Sequence, residues 1–243
     1  SDEYIDYDYA YIYDNNLCPP YPSCIEDYVG VQDISECDET VTDYDGNNYE
    51  IVQIGEQLWM AENLKVTHYN EGSEIPNITN NDDWPNLSTG ANGDYDNNPT
   101  NSETYGRLYN WFAVDDSRGV CPDGWHVPSD DEWTVLTDYL GGSSIAGGKM
   151  KETGLEHWNY YSDEITEEAT NESGFTGLPA GNLHGSGINS GGYYAMGSIG
   201  LFWSSSEYNS NTACVRLLVH HNSILYRSYG IKLYGVSIRC LGD

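Results

Sequence analysis

The stretch CPDGWHVPSDDEWTVLTDYLGG, residues 121–142, holds the clearest local signals in the chain. Ser129 and Glu132 stand three apart, the spacing at which a hydroxyl and a carboxylate cap a helix start reciprocally. Trp133, Leu136 and Leu140 follow at helical intervals and predict a buried stripe, and Gly141-Gly142 ends it. His126 lies between Trp125 and Val127 just ahead of this helix, where a hydrogen-bonded structural histidine is a better reading than a ligand or base.

Upstream, VTDYDGNNYEIVQIGEQLWMAENL (41–64) reads as a meander. Asp45-Gly46 signals a hairpin turn, Tyr49, Ile51 and Val52 begin the return strand, and Gly55-Glu56 turns again before Leu58-Trp59-Met60. DYDGNN places its glycine fourth, whereas an EF-hand loop needs it sixth, so a turn is predicted there rather than a calcium loop. Residues 70–101 have the Asn, Asp, Gly and Pro density of a long surface loop. In NSETYGRLYNWFAV (101–114), Tyr105, Leu108, Tyr109 and Phe112 fall at i, i+3, i+4 and i+7, which predicts a second short helix capped by Asn101 or Ser102.

Downstream, 143–200 is dominated by glycine and asparagine and predicts loops with brief ordered pieces. Strands are expected at 201–203, 214–219, 224–226 and 236–240. Helices inserted between terminal strands indicate an α+β domain whose first and last strands share a sheet, with long irregular loops and antiparallel pairing.

Residues 1–40 differ from the rest: they hold three cysteines and no Lys, Arg or His. They are read as an N-terminal extension, with the globular domain at 41–243. Within SDEYIDYDYAYIYDNN, Ile5, Tyr7, Tyr9, Tyr11 and Tyr13 alternate onto one face, a strand pattern with no hairpin mate after it. An extended sixteen-residue strand spans about 50 Å, enough to reach a sheet edge on another molecule. The alternative is that it folds back onto its own domain.

Nine Lys and Arg stand against 39 acidic residues, for a formal charge of −30. Phosphate backbones and anionic membranes repel such a chain, which excludes nucleic acid as an expected partner. No apolar run approaches the ~20 residues of a membrane span. The start at Ser1 suggests a processed product, although a truncated boundary would look the same. Six cysteines without close metal-ligand spacing point to disulfides and an oxidising, extracellular or cell-surface location. The Asp/Asn cluster at 92–98 places Asp94 and Asp96 where oxygen ligands could converge on calcium, though folding is not expected to require a cofactor.

DYDGNNYEIVQIGEQLWMAENLKVTHYN, YGRLYNWFAV, CPDGWHVPSDDEW, TNESGFTGLPAG, FWSSSEY and GVSIRC occur in this order. Together they resemble the Fibrobacter succinogenes major paralogous domain, found in secreted proteins of Fibrobacter and Bacteroidetes, over 41–243. That family is similar to C-type-lectin-like folds and to the formylglycine-generating-enzyme fold, so the resemblance implies a lectin-like α+β domain. It brings no catalytic residues with it. The Glu-Pro-Asn or Gln-Pro-Asp loop and Trp-Asn-Asp strand of calcium-dependent sugar binding are not in this sequence, and no cysteine pair matches a copper-dependent site. The resemblance also implies a bond between Cys121 and Cys240. Cys18, Cys24, Cys37 and Cys214 then remain; if all pair within one chain, one of the first three reaches Cys214, and otherwise a pair links two chains.

Two functions are expected. One is an extracellular structural subunit, a homo-oligomer or open filament joined by the N-terminal strand. The other is a secreted lectin-like module that takes a glycan or surface protein on an aromatic face around Trp84, Trp158, Tyr193 and Tyr194. Ser204-Ser205-Ser206 lacks a G-x-S-x-G turn and the carboxylates single out no pair, so no enzyme is expected.

Overall fold

The structure, a computed structural model, describes residues 40–185 and 191–243. The predicted arm at Ile5, Tyr7, Tyr9, Tyr11 and Tyr13, and Cys18, Cys24 and Cys37, lie outside them. The chain is mixed α/β, with mainly antiparallel sheets and a few short helices. In order these are β1 (Thr40–Thr42), β2 (Asn48–Ile54), β3 (Gln57–Met60), β4 (Asn92–Gly93), α1 (Pro99–Tyr105), β5 (Leu108–Tyr109), α2 (Trp111–Val114), β6 (Trp125–His126), α3 (Asp130–Tyr139), α4 (Ser143–Met150), α5 (Asp163–Glu168), β7 (Asn182–Leu183), β8 (Tyr193–Tyr194), β9 (Ile199–Asn209), β10 (Thr212–Val219), β11 (Tyr226–Ile231) and β12 (Leu241–Gly242).

A five-stranded sheet runs β1-β2-β3-β12-β6. The two predicted turns build its first half. Asp43 accepts from the backbone N–H of Asp45 and Asn47 at 2.9 and 3.0 Å, which closes the β1–β2 loop, and Gly55, at φ 66°, makes the tight β2–β3 turn. The last strand, β12, inserts between β3 and β6, so early and late segments share this sheet. The Cys121–Cys240 disulfide lies just ahead of β6 and β12, at the same seam.

Arg239 completes that seam. It is fully buried, and its guanidinium donates to Asn63 Oδ1 (3.1 and 2.7 Å) and to the carbonyls of Met60 (3.0 Å), Thr176 (3.3 Å) and Phe175. Asn171 and Thr176 both adopt positive φ, and the Asn171 side chain accepts from the Thr176 N–H at 2.8 Å. This turn presents the Phe175 and Thr176 carbonyls to Arg239.

The capped helix is α3: Ser129 and Glu132 bond reciprocally, and Gly141 and Gly142, at φ 97° and 96°, stop it. Trp133, Leu136 and Leu140 are buried, and Trp133 packs against Trp59, Phe175 and Phe202 at 4.8–5.9 Å between ring centroids. The predicted helix over 101–112 is instead broken. α1 starts earlier, capped by Asn98, and ends at Gly106, whose φ of 75° and 2.5 Å approach of a Cβ to Asn63 admit only glycine. Leu108 and Tyr109 then pair with β4, and Asn110 caps a separate turn of helix, α2. The region read as loops, 143–200, contains two further helices, α4 and α5. Residues 236–240 make isolated bridges rather than a strand.

The second sheet runs β11-β10-β9. Between Ala213↔Glu207 and Val215↔Trp203 the register shifts, so Ser204–Ser206 bulge opposite Cys214. The bulge holds the start of α3: the Ser205 N–H donates to Pro128 O, and Ser206 Oγ accepts from the Asp130 N–H.

Candidate functional site

Asp130, the first residue of α3, holds two arginines that the hairpin β10–β11 places opposite each other. Arg216 donates to Asp130 Oδ1 at 2.6 Å and to its carbonyl at 2.9 Å. Arg227 reaches the same carboxylate through Nε (2.9 and 2.8 Å) and Nη2 (2.7 Å). Burial raises the Asp130 pKa, but the hydrogen bonds and charges of the two guanidiniums outweigh it and leave it below the usual carboxylate value. One carboxylate thus faces two cations, and the Arg227 side chain is 53% exposed. Elsewhere Lys65, Arg107, Arg118, Lys149 and Lys232 each have an acidic partner, and Lys151 and Arg239 are buried against carbonyls. In a chain of formal charge −30, this corner therefore carries surplus positive charge.

An open cleft of about 340 Å³ adjoins it, lined by Thr134, Thr137, Ser143, Arg216, Tyr226 and Arg227 among others. Tyr229 of β11 stacks on Tyr208 at 3.8 Å, both rings being partly exposed. Among the described residues β11 pairs with β10 alone, so its outer backbone edge has no strand partner there.

The model of the Fibrobacter succinogenes major domain matches residues 52–241. The chain belongs to that family. Comparison with curated proteins and with solved structures returned no match. No described helix of this Fibrobacter major domain is long and apolar enough to cross a membrane.

Within the domain, the residues predicted to form an aromatic ligand face do not come together as one. Trp84 is fully buried in a small cluster with Leu108 and Leu183, and its indole N–H donates to Leu233 O. Trp158 is buried too, with its indole N–H on Gly177 O at 3.1 Å. Neither offers a ring to a ligand, because such large apolar bodies gain more in the core. Tyr193 is half-buried and donates to Asn97 and Asn81, while Tyr194 stacks on His184 at 4.1 Å. Asp94 is buried, ion-paired to Arg107 at 2.8 Å and hydrogen-bonded by Ser102, whereas Asp96 is exposed in a short 3-10 turn. Both bonds, from Arg107 and from Ser102, fall on Asp94 Oδ1.

Cys214 lies in β10. Among the described residues it has no disulfide partner: it is a buried thiol in the middle strand, and burial pushes its pKa up. The residues that sequence reasoning missed are Asp130, Arg216 and Arg227. No local pattern marks them, because 86 and 97 positions separate the arginines from the carboxylate they share.

Proposed function

We propose that the chain is an extracellular, non-enzymatic structural subunit that self-assembles when residues 1–16 of one copy add as a strand to the β11 edge of another. The observation that carries this reading is the edge itself, which has no strand partner among the described residues and lies beside an arginine pair that shares one carboxylate. The segment SDEYIDYDYAYIYDNN complements it in charge, with five acidic residues and no basic one. Added beside β11, it would bring Asp6, Asp8 and Asp14 to one face and Ile5, Tyr7, Tyr9, Tyr11 and Tyr13 to the other. Giving a strand and receiving one is a head-to-tail contact, and without closure it grows a filament.

The disulfide at the seam supports an oxidising, extracellular setting. The pairing of β3 with β12 and the long irregular connections support a C-type-lectin-like arrangement. Electron microscopy and sedimentation of the full chain test the proposal. Polymers are expected, and they should be lost both on deleting residues 1–16 and in Arg227→Glu. A monodisperse monomer at all concentrations would overturn it.

The hydroxyl-lined cleft beside Arg216 favours one alternative, a secreted glycan- or protein-binding module. Specific retention of a glycan by monomeric chain, abolished in Thr137→Val, would favour that reading.

A further inference from the structure

The segment after α4 forms a closed loop. The backbone N–H of Glu152 donates to Gly177 O at 3.2 Å, and the indole N–H of Trp158 donates to the same carbonyl at 3.1 Å. One acceptor ties both ends of 152–158, so the chain between folds back on itself. A donor atom from each of Glu152, Glu156 and His157 then lies within 4.8 Å of the others. His157 Nδ1 is 2.8 and 2.9 Å from the two Glu152 oxygens. Tyr105, from α1, packs edge-on against the imidazole with ring centroids 5.3 Å apart.

Charge sets this cluster apart from the other acidic surface. Among the described residues no Lys or Arg pairs with Glu152 or Glu156. Lys149 is committed to Glu172 at 2.7 Å, and Lys151 is buried, donating to the carbonyls of Val219 and Asn222. Two carboxylates and one imidazole thus converge, with His157 paired to Glu152 at 2.8 Å and no Lys or Arg partner among the described residues.

We infer that Glu152, Glu156 and His157 form a binding site for a divalent transition-metal ion of the zinc type. Calcium and magnesium take all-oxygen ligand sets, whereas one imidazole nitrogen with two carboxylate oxygens suits zinc and its neighbours. Bonds of ~2.0–2.2 Å hold tetrahedral donors about 3.3 Å apart, so modest side-chain rotations close the site. Glu156 is exposed and can make most of that movement. Water or a group from another molecule would take the fourth position. This inference is independent of the assembly reading and uses none of its residues.

The test is titration of the full chain with zinc chloride, followed by calorimetry and by thermal melting, beside an equal titration with calcium chloride. Zinc is expected to bind one tight site and raise the melting temperature, and calcium is not. In Glu156→Gln and in His157→Gln that site should weaken about tenfold or more. Cobalt(II) should give visible absorption bands in the native chain and lose them in both variants. Glu156 is exposed, so its variant should keep the fold, and the metal-free melting temperature checks that. No zinc-dependent shift would overturn the inference. So would an equal shift in Glu156→Gln, which would assign the binding to the diffuse charge of 39 acidic residues.

Discussion

Arg239 lies at the seam of the five-stranded sheet with no exposed surface and no carboxylate among its hydrogen-bond acceptors. Arg227 lies at the rim of the three-stranded sheet, half exposed, on a carboxylate that Arg216 already neutralises. The first is surrounded by acceptors from two separated segments, around residues 60–63 and 175–176, and works inward. The second adds little to its own fold and faces outward. Where a polar group's partners all lie inside the chain it acts as a fastener, and where one cation is in surplus at an open edge it is available to a partner.

The largest break in this comparison should come at the covalent fastener. The Cys121–Cys240 bond closes a loop of sequence separation 119, so Cys240→Ser should cost about 4–5 kcal/mol in the loop-entropy model. A urea unfolding series checks it. A loss under about 1 kcal/mol would mean that packing alone seats β12 between β3 and β6.

Arg239→Met should follow. It removes the donors from Asn63 Oδ1 and from the Met60, Phe175 and Thr176 carbonyls, all buried, at a cost of about 3–5 kcal/mol. Arg227→Met at the rim should change stability by less than about 0.5 kcal/mol, because Arg216 still satisfies Asp130. Measured side by side, equal losses in the two variants would erase the distinction between fastener and free edge.

The parts of the molecule legible in the sequence are those whose causes are local. The box at Ser129 and Glu132, the Asp45-Gly46 turn and the Gly55 turn each depend on residues within a few positions, and each appears where its pattern lies. Leu108 and Tyr109 show the limit. Their spacing from Tyr105 and Phe112 is helical, but Gly106 and Asn110 interrupt it, and pairing with Asn92 and Gly93 decides the outcome. Trp84 and Trp158 looked like ligand-stacking aromatics because a sequence does not say which face is covered. Glu152, Glu156 and His157, at i, i+4 and i+5, were within reach of a search for metal-ligand spacing. The Asp130 pair was not, because only the β10–β11 register brings Arg216 and Arg227 together.

The smallest effect expected is at His126, which joins the two regions. On β6, its Nδ1 lies 2.7 Å from Asp243 and its Nε2 2.9 Å from Glu132 of α3. Burial lowers the His126 pKa, but its bonds to Asp243 and Glu132 outweigh this and hold it above the ordinary imidazole value. For Glu132, burial raises the pKa, while Ser129 and His126 bring it below the ordinary carboxylate value. The folded state therefore binds the imidazole proton more tightly than the unfolded chain does. That contribution is complete below the unfolded imidazole pKa and is lost as pH rises through the folded one. The carboxylate works in the opposite sense: its contribution is present above its unfolded pKa and is lost as pH falls through the folded one. The link should thus be strongest between about pH 4.5 and 6.5. Both side chains are about a third exposed, so solvent screening keeps the effect small. Melting temperatures from pH 5 to 8 should show a shallow decline in the native chain that flattens in His126→Gln. If the decline is unchanged in the variant, another histidine carries it and His126 does not couple β6 to α3.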